Sequence, residues 1–198
     1  MSARIVVLAS GHGTNLQAII DACAAGEIDG SVAAVVTDRS EAFALERAAA
    51  VGIAAVALTR SPEEKRADYD ARLAAVVAGH APDWVVLAGW MRILTTTFLG
   101  RFPERVMNLH PALPGAFPGT KAIERAFAAH EQDDLDTTGV MVHLVPDEGV
   151  DSGPVLATAV VPIEPDDTID SLTDRVHFTE HRLLVETLAH LCAQEVSA

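Results

Sequence analysis

The first hundred residues alternate between apolar, β-branched runs and segments with helical periodicity. Strands are predicted over residues 4–9, 32–36, 53–58 and 84–87, with a helix opening at Leu16 and helices over 41–50 and 62–78. Such alternation predicts a parallel α/β sheet, because each parallel crossover needs a helix that packs back on the sheet. The uninterrupted apolar runs fit strands buried on both faces. The predicted fold is therefore a Rossmann-like, mostly parallel twisted sheet flanked by helices.

The third helix has a strong start signal in Ser61-Pro62-Glu63-Glu64. Ser61 fits the N-cap, Pro62 the first helical position, and Glu64 the position that completes a capping box. Gly79 fits the end of this helix. The sequence therefore predicts that the helix begins at Pro62 and runs to about residue 78.

The second half of the chain carries the remaining elements. Strands are predicted over residues 106–109, 139–145 and 155–161, with a short helix over 122–129. A long amphipathic helix is predicted from Thr168 to Cys192. At 198 residues the chain is long enough to form one well-buried domain.

Charge and cysteine content exclude several classes of protein. Acidic residues outnumber basic ones 28 to 14, and this balance opposes nucleic-acid binding, which depends on Lys and Arg. Cys23 and Cys192 have no metal-site or disulfide spacing, which suggests a reduced, cytoplasmic protein. No apolar run has the length of a signal peptide or a membrane span.

A glycine-containing turn, Ser10-Gly11-His12-Gly13-Thr14-Asn15, joins the first strand to the first helix. Glycines let the backbone turn sharply, and free N–H groups at a helix start attract an anion. The turn therefore predicts a site for a phosphate monoester. Two alternatives stay open: a purely structural turn, and a dinucleotide site with Asp38 as the ribose-binding acid. The dinucleotide fingerprint is incomplete, because Leu16 replaces its third glycine.

Asn108-Leu109-His110-Pro111 carries the chemistry of the second half. Side chains alternate along a strand, so Asn108 and His110 are expected on the same face. Pro111 disfavours a helical His110, which suggests that the pair lies where the strand ends. Downstream, the turn-forming Asp151-Ser152-Gly153-Pro154 presents a carboxylate. An amide donor, an imidazole and a carboxylate suit acyl-type transfer, in which an oxyanion is stabilised and protons move.

Glu180 falls on the apolar stripe of the last helix, between Val176 and Leu184. A buried acid is costly unless it is paired, so Glu180 is expected to meet a cation, either an arginine or a ligand amine. The surrounding pattern His177-x-x-Glu180-His181 matches some zinc proteases, but no acid downstream offers a third ligand. The acidic turn 147–151 lacks the periodicity of a calcium loop. No metal is therefore expected.

Four segments resemble the glycinamide ribonucleotide formyltransferase family, the folate-dependent enzymes of purine biosynthesis. These segments are residues 10–17, 87–94, 108–113 and 151–154, and they occur in the family's order across almost the whole chain. The resemblance implies a single formyltransferase domain over residues 1–198. Its residues 1–100 would form the nucleotide- and phosphate-binding half, and residues 101–198 the catalytic and folate-binding half.

The resemblance also implies roles for individual residues. The implied catalytic residues are Asn108, His110 and Asp151, with Asp151 expected to raise the pKa of His110. The implied ribonucleotide-binding residues are Gly11, His12, Gly13, Thr14, Asn15 and Glu180. The implied folate-binding residues are Arg66, Met91, Arg92, Ile93, Leu94, Asn108, Val145 and Asp147.

The implied reaction transfers a formyl group from 10-formyltetrahydrofolate, a co-substrate, to the amine of N1-(5-phospho-D-ribosyl)glycinamide. The products are the N-formyl compound and tetrahydrofolate, in de novo purine biosynthesis. The implied partners are small molecules, without metal, nucleic acid or membrane, and the protein would be a cytoplasmic monomer or homodimer. Two alternatives remain open at this point: a formyltetrahydrofolate hydrolase, and a non-catalytic nucleotide-binding module.

Overall fold

The computed structural model describes residues 2–132 and 135–195, and within them the centre is a seven-stranded sheet of order β3-β2-β1-β4-β5-β6-β7. The strands are β1 Ala3–Leu8, β2 Gly30–Thr37, β3 Ala54–Ala57, β4 Trp84–Leu87, β5 Val106–His110, β6 Thr137–Leu144 and β7 Val155–Pro162. Neighbouring strands from β3 to β5 are parallel, and β6 and β7 are added antiparallel. This arrangement confirms the mostly parallel α/β fold.

Helices cover both faces of the sheet. They are α1 Thr14–Ala25, α2 Phe43–Ala50, α3 Arg66–Ala78, α4 Thr96–Leu99, α5 Ala122–His130 and α6 Ile169–Glu195. Successive residues of β1 alternate between two hydrophobic clusters: Ile5 packs in one with α1 and α6, and Val6 in the other with α3 and α4. Among the described residues, none of the helices combines the length and the apolar composition that a bilayer crossing requires.

The sheet order reverses at β1, which has β2 on one side and β4 on the other. In open α/β sheets this switch point is where ligands bind, at the carboxyl ends of the strands. Leu8, Leu87 and Asn108 are in register across β1, β4 and β5, so these three strands end side by side. Ser10 joins the loop after β1 to the loop after β4. Its N–H donates to the Gly89 carbonyl at 3.0 Å, and its hydroxyl accepts the N–H of residue 91 at 3.0 Å.

The predicted start of the third helix is wrong. Helix α3 begins at Arg66, and residues 61–64 form a separate turn closed by the Glu64 N–H and the Ser61 carbonyl at 3.2 Å. The Glu64 carboxylate reaches back to the Ser61 N–H at 3.4 Å, as in a capping box, but its shorter bonds are to Arg72 at 2.7 and 2.9 Å. The ion pair with the helix therefore stabilises a turn that precedes it. The other predicted elements are present, with ends shifted by a few residues.

Candidate active site

The structure brings Asn108, His110 and Asp151 together at the end of β5. The Asn108 amide nitrogen lies 3.0 Å from one Asp151 oxygen, and His110 Nδ1 lies 3.3 Å from the other. All three side chains are partly or fully buried, with His110 5% and Asp151 9% exposed. Strand alternation thus puts the first two on one side of β5, as expected, and the loop between β6 and β7 delivers the carboxylate.

Tight backbone geometry brings Asp151 to this position. Asp151 itself has a left-handed conformation, with φ of 49°. Two residues later, a Cβ on Gly153 would clash with the Leu144 carbonyl oxygen, so only glycine fits. The Gly119 N–H then donates to the Asp151 carboxylate at 2.8 Å. The turn-forming residues after Asp151 are therefore needed to fold this loop back onto β6.

His143, which the sequence analysis did not single out, belongs to the same cluster. It lies opposite Asn108 in the antiparallel pairing of β5 with β6 and is fully buried. Its Nε2 lies 3.2 Å from the Asn108 amide nitrogen and 3.5 Å from Asp151, while Nδ1 lies 2.8 Å from the Leu144 carbonyl. Since a carbonyl only accepts, Nδ1 carries the hydrogen, and in the neutral ring Nε2 accepts from Asn108. The signal in the sequence was a polar residue on a buried face of the predicted strand 139–145.

The ionisation of the cluster differs from expectation. Burial lowers the pKa of His110 below its ordinary value, and this effect outweighs the nearby Asp151 carboxylate, which acts to raise it. Asp151 therefore acts in the expected direction, but the expectation of a raised His110 pKa was wrong, because burial has the larger effect. Burial also works to raise the pKa of Asp151, but the neighbouring His143, the Gly119 N–H and His110 together bring it below its ordinary value. At neutral pH the site therefore holds an ionised carboxylate beside a neutral His110.

The glycine-containing turn after β1 leads directly into helix α1. Gly13 is the residue before the helix and has a left-handed conformation, with φ of 71°. A Cβ there would also lie 3.0 Å from Ala44. Arg47 fixes the turn by donating to the His12 carbonyl at 2.8 Å. No side chain caps α1, so the N–H groups of its first turn are free to meet an anion.

Glu180 of α6 lies close to this turn. The carboxylate is 6% exposed and accepts a hydrogen bond from the Asn15 amide. Burial raises the pKa of Glu180 to about 7, which the Asn15 hydrogen bond opposes. The expected arginine partner is not found among the described residues: the group that comes within ion-pair distance is His177, at 3.9 Å. The side-chain oxygen of Asn15 is buried without a hydrogen-bond partner in the same part of the structure. A ligand amine therefore remains as the expected cation.

Of the predicted folate-binding residues in the segment 91–94, after β4, some are exposed and others are buried. Met91 and Ile93 are 58% and 49% exposed, which is unusual for such apolar side chains, whereas Leu94 is buried. Arg92 is already paired, since its Nε lies 2.7 Å from Asp38. The same ion pair occupies the carboxylate that a dinucleotide site would need for ribose. That alternative is therefore disfavoured.

The remaining predicted folate residues surround the loop between β6 and β7. Arg66 donates to the Ile93 carbonyl and to the Glu148 carboxylate, each at 3.2 Å, and so joins this loop to the segment after β4. The Val145 N–H donates to β5 at 2.9 Å, and the exposed Asp147 accepts the N–H of residue 149 at 2.8 Å. Across the described residues, no group of three His, Cys, Asp or Glu side chains is arranged to hold a metal ion.

Comparison with known proteins gives the family. The family model described as formyl transferase matches residues 3–188. This chain belongs to the formyl transferase family. Within the family, it is 41% identical to the phosphoribosylglycinamide formyltransferase of Dictyostelium discoideum, over 95% of this chain and 97% of that protein. It is 43% identical to the Escherichia coli enzyme of the same name, over 90% of this chain and 82% of that protein.

A solved formyl transferase has the same fold. The glycinamide ribonucleotide transformylase 1 of Symbiobacterium toebii superimposes with a TM-score of 0.90 at 40% identity. The match covers 97% of this chain and 88% of that chain. The similarity thus extends over the sheet, its helices and the loops that carry the candidate site.

Proposed function

We propose that this formyl transferase passes the formyl group of 10-formyltetrahydrofolate to the amine of N1-(5-phospho-D-ribosyl)glycinamide. The observation that carries the proposal is the contact of Asn108, His110 and Asp151 at the end of β5. Relatives named phosphoribosylglycinamide formyltransferase, about 40% identical over most of the chain, support the choice of substrate. The products are the N-formyl ribonucleotide and tetrahydrofolate, in purine biosynthesis.

The ribonucleotide would bind along the turn after β1 and helix α6. Residues 11–15 would hold its phosphate with backbone N–H groups, because the first turn of α1 is uncapped. Glu180 would receive the substrate's amine or hydroxyl groups. The unpartnered Asn15 oxygen supports this assignment, since a buried acceptor needs a donor.

In the transfer itself, the substrate amine attacks the formyl carbon and a tetrahedral oxyanion forms. Asn108 exchanges one of its contacts, to Asp151 or His143, for a hydrogen bond to the oxyanion, and His110 donates another or protonates the departing folate nitrogen. Asp151, ionised at neutral pH, accepts the proton that the amine loses, directly or through water, and passes it to His110 Nδ1, 3.3 Å away. The imidazolium formed in this way, and not the neutral ring, then protonates the folate nitrogen. One proton leaves the amine and one reaches the folate nitrogen, so the steps balance without a metal.

The folate would lie between the segment after β4 and the loop between β6 and β7. The exposed Met91 and Ile93 offer apolar contact area, and Leu94 supports them from the interior. Val145 and Asp147 would offer backbone and carboxylate contacts, and Arg66 would face the acidic end of the folate. The Arg92 side chain is bound to Asp38, so its contribution would come from its backbone.

We also infer that the protein works in the cytoplasm on small molecules, without a nucleic-acid partner, as a monomer or homodimer. Its formal charge of −14 supports the exclusion of nucleic acid. The division into a phosphate-binding half, residues 1–100, and a catalytic and folate-binding half, residues 101–198, follows from the same assignment.

A deformylation assay tests the proposal. Absorbance of the folate is followed with and without glycinamide ribonucleotide, for the parent protein and for His110→Ala. Product that forms only with the ribonucleotide, and is lost in the variant, supports formyl transfer. Product without the ribonucleotide would select the hydrolase, and ribonucleotide binding without any product would select the non-catalytic module.

A further inference from the structure

The loop of residues 113–121, here called the His110 loop, covers the candidate catalytic residues with its backbone. The Phe117 carbonyl lies 3.1 Å from His110 Nε2, and the Gly119 N–H lies 2.8 Å from Asp151. The carbonyl and the ionised Asp151 carboxylate, which lies 3.3 Å from Nδ1, both only accept hydrogen bonds. The single hydrogen of the neutral ring can therefore meet one of them, on Nε2 or on Nδ1. By holding the Phe117 carbonyl against Nε2, this loop favours the Nε2–H tautomer over Nδ1–H, and it also orients the carboxylate.

The backbone of the His110 loop is strained at two residues. Phe117 and Lys121 have positive φ angles of 47° and 58°, a region that side chains with a Cβ rarely adopt. Such a conformation is strained in a residue with a Cβ and persists only where the surroundings hold it. Gly115 and Gly119, at 79° and 81°, adopt the same region without that strain. Contacts from outside the loop must therefore stabilise it.

Arg125 of helix α5 makes those contacts. Its Nη2 donates to the Phe117 carbonyl at 2.5 Å and to the Pro118 carbonyl at 2.7 Å, and its Nε donates to the Lys121 carbonyl at 3.3 Å. The guanidinium carbon also lies 5.8 Å from the centroid of the Phe117 ring. Helical side chains lean toward the N-terminus of their helix, which lets Arg125 reach back over the preceding loop. One planar guanidinium thus bonds the carbonyls of both strained residues.

We propose that Arg125 is a positioning residue for formyl transfer. It holds the Phe117 carbonyl on His110 and, through the same loop, the Gly119 N–H on Asp151. The inference rests on the proposed function, but the geometry it explains is present without substrate. Arg125 donates to the same carbonyl oxygen that His110 meets, so it acts on the imidazole through one shared atom. No contact between Arg125 and a substrate is required.

Kinetics separate positioning from a purely structural role. Arg125→Ala is expected to lower kcat about tenfold, because small displacements of catalytic groups cost factors of this size or more. The KM values of both substrates should stay within about twofold. Arg125→Lys should recover part of the loss, since an ammonium can still donate to two carbonyls. Glu124→Ala, on the same helix, and Arg101→Ala, another exposed arginine, serve as controls and should keep parental kcat.

A spectroscopic measurement tests the proposal without turnover. Nitrogen-15 spectra of the histidines, with His110 assigned by its loss in His110→Ala, should show a population of the Nε2–H tautomer in the parent at high pH. Arg125→Ala should shift the ring toward the Nδ1–H tautomer, because the Phe117 carbonyl is no longer held on Nε2 while Asp151 still faces Nδ1. Parental kcat and an unchanged tautomer in Arg125→Ala would overturn the proposal, as would a rise in KM with constant kcat. If the parent transferred no formyl group, the proposed function would fail, and the tautomer alone would still decide the role of Arg125.

Discussion

Replacing Glu180 with glutamine tests whether the buried Glu180 carboxylate destabilises the protein when no substrate is bound. The carboxylate is 6% exposed and has one neutral donor, the Asn15 amide, with His177 at 3.9 Å. Glutamine keeps the size of the side chain and an oxygen that accepts from Asn15. The substitution therefore removes the charge and little else, so the unliganded variant should be more stable than the parent.

The expected gain follows from the pKa of Glu180. Burial raises this pKa from its ordinary 4.5 to about 7, which corresponds to about 3 kcal/mol at roughly 1.4 kcal/mol for each pH unit. A raised carboxyl pKa means that the folded state keeps its proton longer than the unfolded state does. The cost is thus absent below the unfolded pKa, grows as the pH rises, and is complete above about pH 7. Glu180→Gln should gain about 1 kcal/mol near pH 5.5 and about 3 kcal/mol near pH 8.5.

Urea unfolding of both proteins at several pH values measures this difference. Measurements start above the isoelectric point of about 4.8, where the protein stays charged. His177→Gln provides the control for the neighbouring imidazole, and its stability difference should not follow the Glu180 curve. A Glu180→Gln variant less stable than the parent, or equally displaced from it at every pH, would refute the reasoning. The same variant should raise the KM for the ribonucleotide, which needs the charge.

Three further substitutions test other parts of the structure. Asp151→Asn should lower kcat about a hundred- to thousandfold with ribonucleotide affinity nearly intact, measured by steady-state kinetics and equilibrium binding. Glu148→Gln should lower the KM for folate about twofold, because it frees Arg66 from an exposed ion pair; an unchanged KM would count against Arg66 as a folate contact. Asp167, whose pKa the Arg175 hydrogen bonds hold below its ordinary value, stabilises the fold above its unfolded pKa and less as the pH falls. Asp167→Asn should therefore lose about 1 kcal/mol in urea unfolding at pH 7, and progressively less as the pH falls below the unfolded pKa of about 4.

The sheet and the catalytic pair were predictable because they depend on local periodicity. The β-branched runs that form β1, β2 and β4 are buried on both faces, and nothing in the tertiary structure competes with that pattern. Asn108 and His110 share a side of β5 for the same reason. The predicted start of α3 was wrong because a capping box is a local signal, whereas the Glu64 carboxylate forms its shorter hydrogen bonds with Arg72, eight residues later.

Contacts between segments distant in the chain could not be predicted from the sequence. His143 joins the site through antiparallel pairing with β5, and the sequence gives no register for strands more than thirty residues apart. The ion pair of Asp38 with Arg92 spans the switch point in the same way. The lowered pKa of His110 depends on burial, which no spacing of residues reports.

The site combines a rigid sheet with backbone conformations that the sheet alone would not hold. β5 fixes Asn108 and His110, but Asp151 and Phe117 both have positive φ angles, and both contact His110. Two strained loops therefore converge on one imidazole, each restrained by a group outside it: Gly119 for the carboxylate and Arg125 for the carbonyl. Because the restraint comes from other segments, substitution of Arg125 in α5 should alter catalysis although this residue contacts neither substrate. A site built only on strand residues would show no such sensitivity.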